Sequence, residues 1–144
     1  GRYLDPASRL GQRTAELHAK EARVRSIFET SFTYQGLMAL DGTLLDANAT
    51  SLQGIDAPRE AVIGKPFWQS PWFAATPGMP ETVRGAIPLV ARGEVVRQEI
   101  HVNLPVGGWR WFDFQMRPVR DSGGAVVAIV PEASVMLTRS PARS

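Results

Sequence analysis

The sequence predicts an α+β domain: a five-stranded antiparallel sheet with short helices on one face and a flanking helix at the N-terminus. Three observations carry this. The first thirty or so residues are densely charged, with apolar residues at helical spacing. Two strand-like blocks follow, each broken by glycine-containing turns. Between the blocks lies a stretch of caps, prolines and aromatics that suits short helices. Strand blocks separated by helices join most simply into one antiparallel sheet with the helices laid on it.

The chain has 144 residues, 44% of them hydrophobic and 21% charged, which suits one globular domain with a real core. The net charge is only +2, and acids alternate with bases, so no concentrated positive field is available for nucleic acid. Cysteine is absent, which removes disulfides, thiolate metal sites and cysteine nucleophiles and fits a reducing cytoplasm. No apolar run approaches the roughly 18 residues needed to cross a bilayer, and no signal-peptide pattern opens the chain. No membrane contact is expected.

Residues 1–31 read as a flanking helix starting near Asp5-Pro6, with Pro6 in the first turn. Leu10, Leu17 and Val24 recur every seven residues, and Ile27 and Phe28 follow. A strict coiled-coil seam is disfavoured: with Leu10 as an a position, the d positions include Arg13 and Lys20. The expectation is an amphipathic helix that packs on its own domain and also contributes to a homodimer.

Residues 32–135 form the expected domain. Tyr34 to Leu40 is an apolar strand, Asp41-Gly42 a short-hairpin signal, and Leu44-Leu45 the returning strand. Asn48 is placed to cap a short helix through Leu52, with Gly54 ending it. Another helical turn covers Arg59 to Ile63 and stops at Gly64. Residues 65–78, rich in proline and aromatics, read as irregular or single-turn structure. Pro80 and Glu81 suit the first turn of a longer helix ending near Arg92-Gly93. Pro88 inside it removes a donor and crowds the carbonyl of Arg84, so a bend, and a moving element, are expected there.

Three strands complete the domain. Val95 to Leu104 turns through Val106-Gly107-Gly108 into Trp109 to Val119, and Asp121-Ser122-Gly123-Gly124 turns into Ala125 to Pro131. Residues 136–144 read as a C-terminal tail or linker. Arg117, Arg120 and Asp121 suit a solvated strand end.

Several stretches, in this order, resemble a PAS domain of a bacterial signalling protein. They are Asp41-Gly42-Thr43-Leu44-Leu45 running into Ala47-Asn48-Ala49, then Glu60-Ala61-Val62-Ile63-Gly64-Lys65-Pro66. Further on come Gly93-Glu94-Val95-Val96-Arg97, and finally Asp113 to Asp121. The resemblance covers about residues 22–135. It implies a sheet and short helices around a pocket or a solid core, and a role in sensing a small organic ligand or a partner. It implies a dimer through the flanking helix and a neighbouring output domain, most often that of a sensor histidine kinase in a phosphorelay. Cyclic-dinucleotide enzymes and transcription regulators are alternative parents, and a ligand-free dimerisation or interaction domain is the alternative role. Relatives usually close with Asp-x-Thr after the last strand. Here the region reads Met136-Leu137-Thr138, and Ser140-Pro141-Ala142-Arg143-Ser144 breaks any continuing helix. That departure directs the expected signal to the N-terminal helix.

No catalytic constellation is legible. His18 lies in the charged helix and His101 in a strand, neither beside a nucleophile and an orienting carboxylate, and two isolated histidines make a poor metal site. A hydrolase using Asp113 or Glu99 as base is the weakest alternative. The cofactor identity stays open. Light-sensing flavin relatives use a cysteine adduct, excluded here, and haem-binding relatives take a histidine from the long helix, where residues 80–92 have none. His101 is a poor substitute ligand. The pocket candidates are aromatic: Phe67, Trp68, Trp72 and Phe73 from the short-helix region, and Trp109, Trp111, Phe112 and Phe114 from one strand. Arg97, Arg110 and Gln115 are candidate polar contacts. Alternation puts Phe112, Phe114 and Met116 on one face and Trp109, Trp111, Asp113 and Gln115 on the other. The plainer reading of the same cluster is ordinary core.

Overall fold

The structure, a computed structural model, describes residues 6–137. Helix α1 runs Pro6–Thr30 and strands β1 (Tyr34–Met38) and β2 (Leu44–Ala47) form the first hairpin. Helix α2 (Ala49–Gln53), single turns at Arg59–Ala61 and Phe67–Gln69, and helices α3 (Pro71–Ala74) and α4 (Met79–Ala91) come next. Strands β3 (Val96–Leu104), β4 (Gly108–Arg120) and β5 (Val126–Met136) finish the domain. All pairings are antiparallel and the sheet order is β2-β1-β5-β4-β3. The last strand in sequence is therefore central.

The first hairpin closes because Gly42, at φ +94°, supplies the left-handed turn, while the Asp41 carboxylate accepts from the Thr43 amide at 2.9 Å. A β-carbon at Gly42 would stand 2.4 Å from the Trp68 ring, so the bare glycine also seats that indole. The segment after Gly64 covers the outer edge of β2: the Leu44 amide donates to Lys65 O at 2.9 Å and the Phe67 amide to Gly42 O at 2.9 Å.

Strand β5 continues to Met136, five residues beyond the expected end at Pro131. A proline is tolerated in this central strand because the β1–β5 ladder skips the residues facing it. Pairing goes from Gln35↔Glu132 to Met38↔Ile129, leaving Gly36 and Leu37 without β5 partners. Likewise β1 stops at Met38 rather than Leu40, where the turn begins. Helix α4 carries through Pro88 to Ala91. Pro88 and Arg84 both lie on its exposed side, so water reaches the carbonyl that the proline leaves unpaired.

The core lies between the inner sheet face and α2–α4. Met38, Leu44, Ile100, Val102, Phe112, Phe114, Met116 and Ile129 from the sheet meet Phe67, Trp72, Phe73, Val83, Ile87 and Val90. The expectation that α1 packs on its own domain holds only for its last turn. Leu10, Leu17, Val24 and Ile27 are 65%, 54%, 67% and 71% exposed. The closing element expected at Thr138 and the break at Ser140–Ser144 lie outside the described residues, as does Asp5. Among the described residues no helix is long and apolar enough to cross a membrane.

Candidate functional site

Between the inner sheet face and the short helices lies a cavity of about 50 Å³. Phe112 and Phe114 of β4 and Ile100, Val102 and Leu104 of β3 form its floor, the period-two alternation of both strands turning these residues inward. Phe67, Trp72 and Phe73 close it from the helical side. Tyr34, Gly36, Leu44, Ala47, Ser51, Pro131 and Ala133 complete the wall near β1 and β5. The aromatic rings interlock: Phe67 meets Phe73 edge-on at 5.0 Å, Phe73 meets Phe114 at 5.9 Å, and Tyr34 meets Phe112 at 5.1 Å.

The fully buried side-chain polar atoms around the cavity are paired. Trp72 Nε1 donates to Ser51 O at 2.8 Å, and Ser51 Oγ donates to Asn48 O at 2.7 Å. Among the described residues no buried side-chain nitrogen or oxygen lacks a partner. Burial pushes the Tyr34 phenol up from its ordinary value, with the Arg110 charge opposing. Tyr34 thus stays neutral, and the cavity presents no ionised group of its own wall apart from the strand residue Glu132. That carboxylate is turned to the outer face, where Arg117 Nη1 donates to it at 2.5 Å.

Of the sequence candidates, Phe67, Trp72, Phe73, Phe112 and Phe114 meet at this cavity. The others do not. Trp68 lies over Gly42 with the Arg84 guanidinium 5.4 Å above its ring. Arg97 pairs with Asp113 across the outer face, Nε to Oδ1 at 3.0 Å, and holds that carboxyl below its usual range. Gln115 faces Arg97 and Glu132 in register on the same outer face. Arg110 is exposed and lies against Gly107 in the β3–β4 turn. His101 stacks on Trp111 at 4.5 Å and leans on Trp109 at 4.9 Å, also outside. No group of three or more potential metal ligands occurs among the described residues. Sequence reasoning missed Tyr34, Ser51, Ile100 and Val102. The alternation of Ile100, Val102 and Leu104 was a usable signal, whereas Ser51 is joined to the cavity wall through its backbone carbonyl, which accepts from Trp72.

Asn48 is the second concentration of polar chemistry, and it is fully buried. Its Oδ1 accepts from the Gln35 and Ser51 amides, both at 3.1 Å, and its Nδ2 donates to Phe28 O at 3.0 Å and Thr33 O at 2.9 Å. One side chain therefore caps the start of α2 and satisfies a carbonyl that the end of α1 would leave orphaned. Beside it, Arg59 Nη2 donates to Glu29 Oε1 at 2.6 Å and to Ala47 O at 2.7 Å, and Glu29 Oε2 accepts from the Ala49 amide at 3.1 Å. Arg25 joins Asp46 at 3.0 Å.

Comparison with known proteins agrees with this architecture. The chain is 30% identical over 115 residues to hybrid signal transduction histidine kinase D of Dictyostelium discoideum, covering 78% of this chain and 7% of that protein. It is 29% identical over 121 residues to sensor histidine kinase TmoS of Ectopseudomonas mendocina, covering 83% of this chain and 12% of that one. It thus spans only a small part of either relative. The PAS domain of an HTR-like protein from Haloarcula marismortui superposes with a TM-score of 0.70 at 15% identity, over 88% of this chain and 99% of that one. The sequence profile of the PAS fold matches residues 36–136, and the chain belongs to the PAS-domain family of signalling proteins.

Proposed function

We propose that this PAS domain is the sensory module of a histidine kinase acting in a phosphorelay, and that its input is a small uncharged apolar molecule. The observation that carries the reading is the aromatic cavity, whose fully buried side-chain polar atoms are already paired. A charged ligand would enter without an ionised partner, which disfavours its burial strongly. In this reading residues 1–31 are the flanking helix, 32–135 the sensory domain and 136–144 a tail or linker. Kinase chemistry belongs to other parts of such a protein, on the cytoplasmic side.

The relay would run through a homodimer built on α1. Its apolar residues are exposed, and Val24, Ile27 and Phe28 of α1 line a groove of about 1040 Å³ with Leu37, Arg117 and Val130 of the outer sheet. Native mass spectrometry of freshly purified protein tests both parts. A dimer carrying a retained neutral molecule is the expected result, and a monomer with no thermal stabilisation by any apolar compound would overturn it. A second reading, a ligand-free dimerisation block, is favoured by the small volume, since about 150 Å³ is needed to hold benzene.

A further inference from the structure

Helix α1 is exposed along its apolar stripe, yet its last turn is tied to α2 from several sides. Phe28 O accepts from Asn48, the Glu29 carboxylate accepts from the Ala49 amide and from Arg59, and Ser31 O just beyond accepts from Thr50 Oγ1 at 2.5 Å. The middle of α2 is tied to the cavity. Trp72, one of its walls, donates Nε1 to Ser51 O, while the Ser51 amide donates to Asn48 Oδ1. Three hydrogen bonds, of 2.8, 3.1 and 3.0 Å, therefore run without a gap from the cavity wall to the last turn of α1.

We propose that filling the cavity re-aims α1 through Trp72, Ser51 and Asn48. The inference rests on the reading of the cavity as the input site, and extends it to the route of the output. At about 50 Å³ the cavity is too small for all but the smallest molecules, so a larger guest must displace a wall. The β3 and β4 floor is held by unbroken pairing, β3–β4 from Val96 to Leu104 and β4–β5 from Trp111 to Val119, the β1–β5 ladder being interrupted only beside Gly36 and Leu37. Trp72 is held differently: it sits on the four-residue helix α3, by one polar bond. Displacing the indole leaves the Ser51 carbonyl without its partner and frees α2 to turn with Asn48. The two arrangements, Trp72 bonded and Trp72 released, are the states between which a ligand must discriminate for any output to follow. Leverage is large, because α1 has 25 residues and spans about 37 Å, so a tilt of about 5° at its base moves its far end by about 3 Å.

The chain has no cysteine, so two introduced residues, Arg13→Cys on α1 and Glu94→Cys after α4, take spin labels uniquely. Labelled protein diluted with unlabelled chain reports the distance within one molecule. Occupancy is imposed from inside by Ala133→Leu, which fills the cavity from β5, and from outside by cyclohexane. Arg13 lies about 22 Å from the base at Phe28, so either should shift the distance by up to about 2 Å, and adding Trp72→Phe, which keeps an aromatic ring but removes the donor, should abolish the shift. Asn48→Asp keeps the acceptor, loses both donors and should abolish it as well. A shift that persists in Trp72→Phe, or no shift under either form of filling, overturns the relay. A response to Ala133→Leu with none to cyclohexane or other apolar compounds supports the relay and overturns the ligand reading instead.

Discussion

The Tyr34 hydroxyl occupies the space that a β-carbon on Gly54 would need. Such a carbon would lie 2.7 Å from Oη and 3.0 Å from Cε2 of that ring. Gly54 has an ordinary φ of −66°, so it is retained at this place for closeness and not for backbone freedom. Its carbonyl also accepts from Val106 at 3.2 Å, joining the end of α2 to the β3–β4 turn.

Gly54→Ala should therefore destabilise the domain by about 1–3 kcal/mol through overpacking against Tyr34. Urea denaturation of the single variant and of Gly54→Ala combined with Tyr34→Leu checks this. The loss should shrink to within about 0.5 kcal/mol in the Tyr34→Leu background. An undiminished loss would place the strain elsewhere.

Asn48→Ala should cost about 3 kcal/mol or more, since it strands the part-buried Phe28 carbonyl and Gln35 amide as well as removing a helix cap. Asn48→Ser, which keeps a capping oxygen, should recover part of that. Equal stability of Asn48→Ala and the parent in a denaturant titration would contradict the double-cap role.

Acid sensitivity should fall when Asp113 is replaced. The Arg97 guanidinium holds the folded-state carboxyl below its usual range, so its contribution is full above the unfolded value near pH 4 and is lost as pH falls through the folded value. Melting temperatures of Asp113→Asn and parent should differ at neutral pH and converge as pH falls below the folded-state value. The pair is largely exposed, and high salt should narrow the neutral-pH difference.

Tyr34 should ionise late. Burial raises its phenol, so the stability it contributes is complete below the unfolded value near pH 10 and disappears as pH rises through the folded value. A phenolate absorbance titration should show one tyrosine lagging, and Tyr34→Phe should remove the lagging component. Because Arg110 opposes the burial effect, Arg110→Ala should delay it further.

Much of this architecture was legible from local chemistry. The turn at Asp41-Gly42, the cap at Asn48 and the alternation along β4 each follow from a residue's own conformational preference, and the first two named their positions to the residue. What stayed hidden depends on partners far away in sequence. Pro131 reads as a strand end until Gly36 and Leu37 are seen to leave it unopposed on the β1 side. Trp68 and Trp72 look equivalent in sequence, four residues apart among prolines. Only the close approach of Gly42 to one and Ser51 to the other separates a structural indole from a cavity wall. Apolar spacing in α1 shows an amphipathic helix but not what covers it, and among the described residues Leu10, Leu17 and Val24 stay more than half exposed.

Strand β5 sits between β1 and β4 although it is made last. During synthesis the two hairpins it joins must wait as separate ribbons, each with an open edge that neither can close alone. Pairing Tyr34 with Ala133 closes nearly the whole domain as one loop, the slow kind of contact in folding. A nascent chain released before Ile129 would hold half-sheets and no cavity, prone to aggregate. Acquisition of the cavity is thus an all-or-none event that waits for β5, and a variant that slows insertion of this strand would lower the yield of protein without altering the cavity of the molecules that succeed.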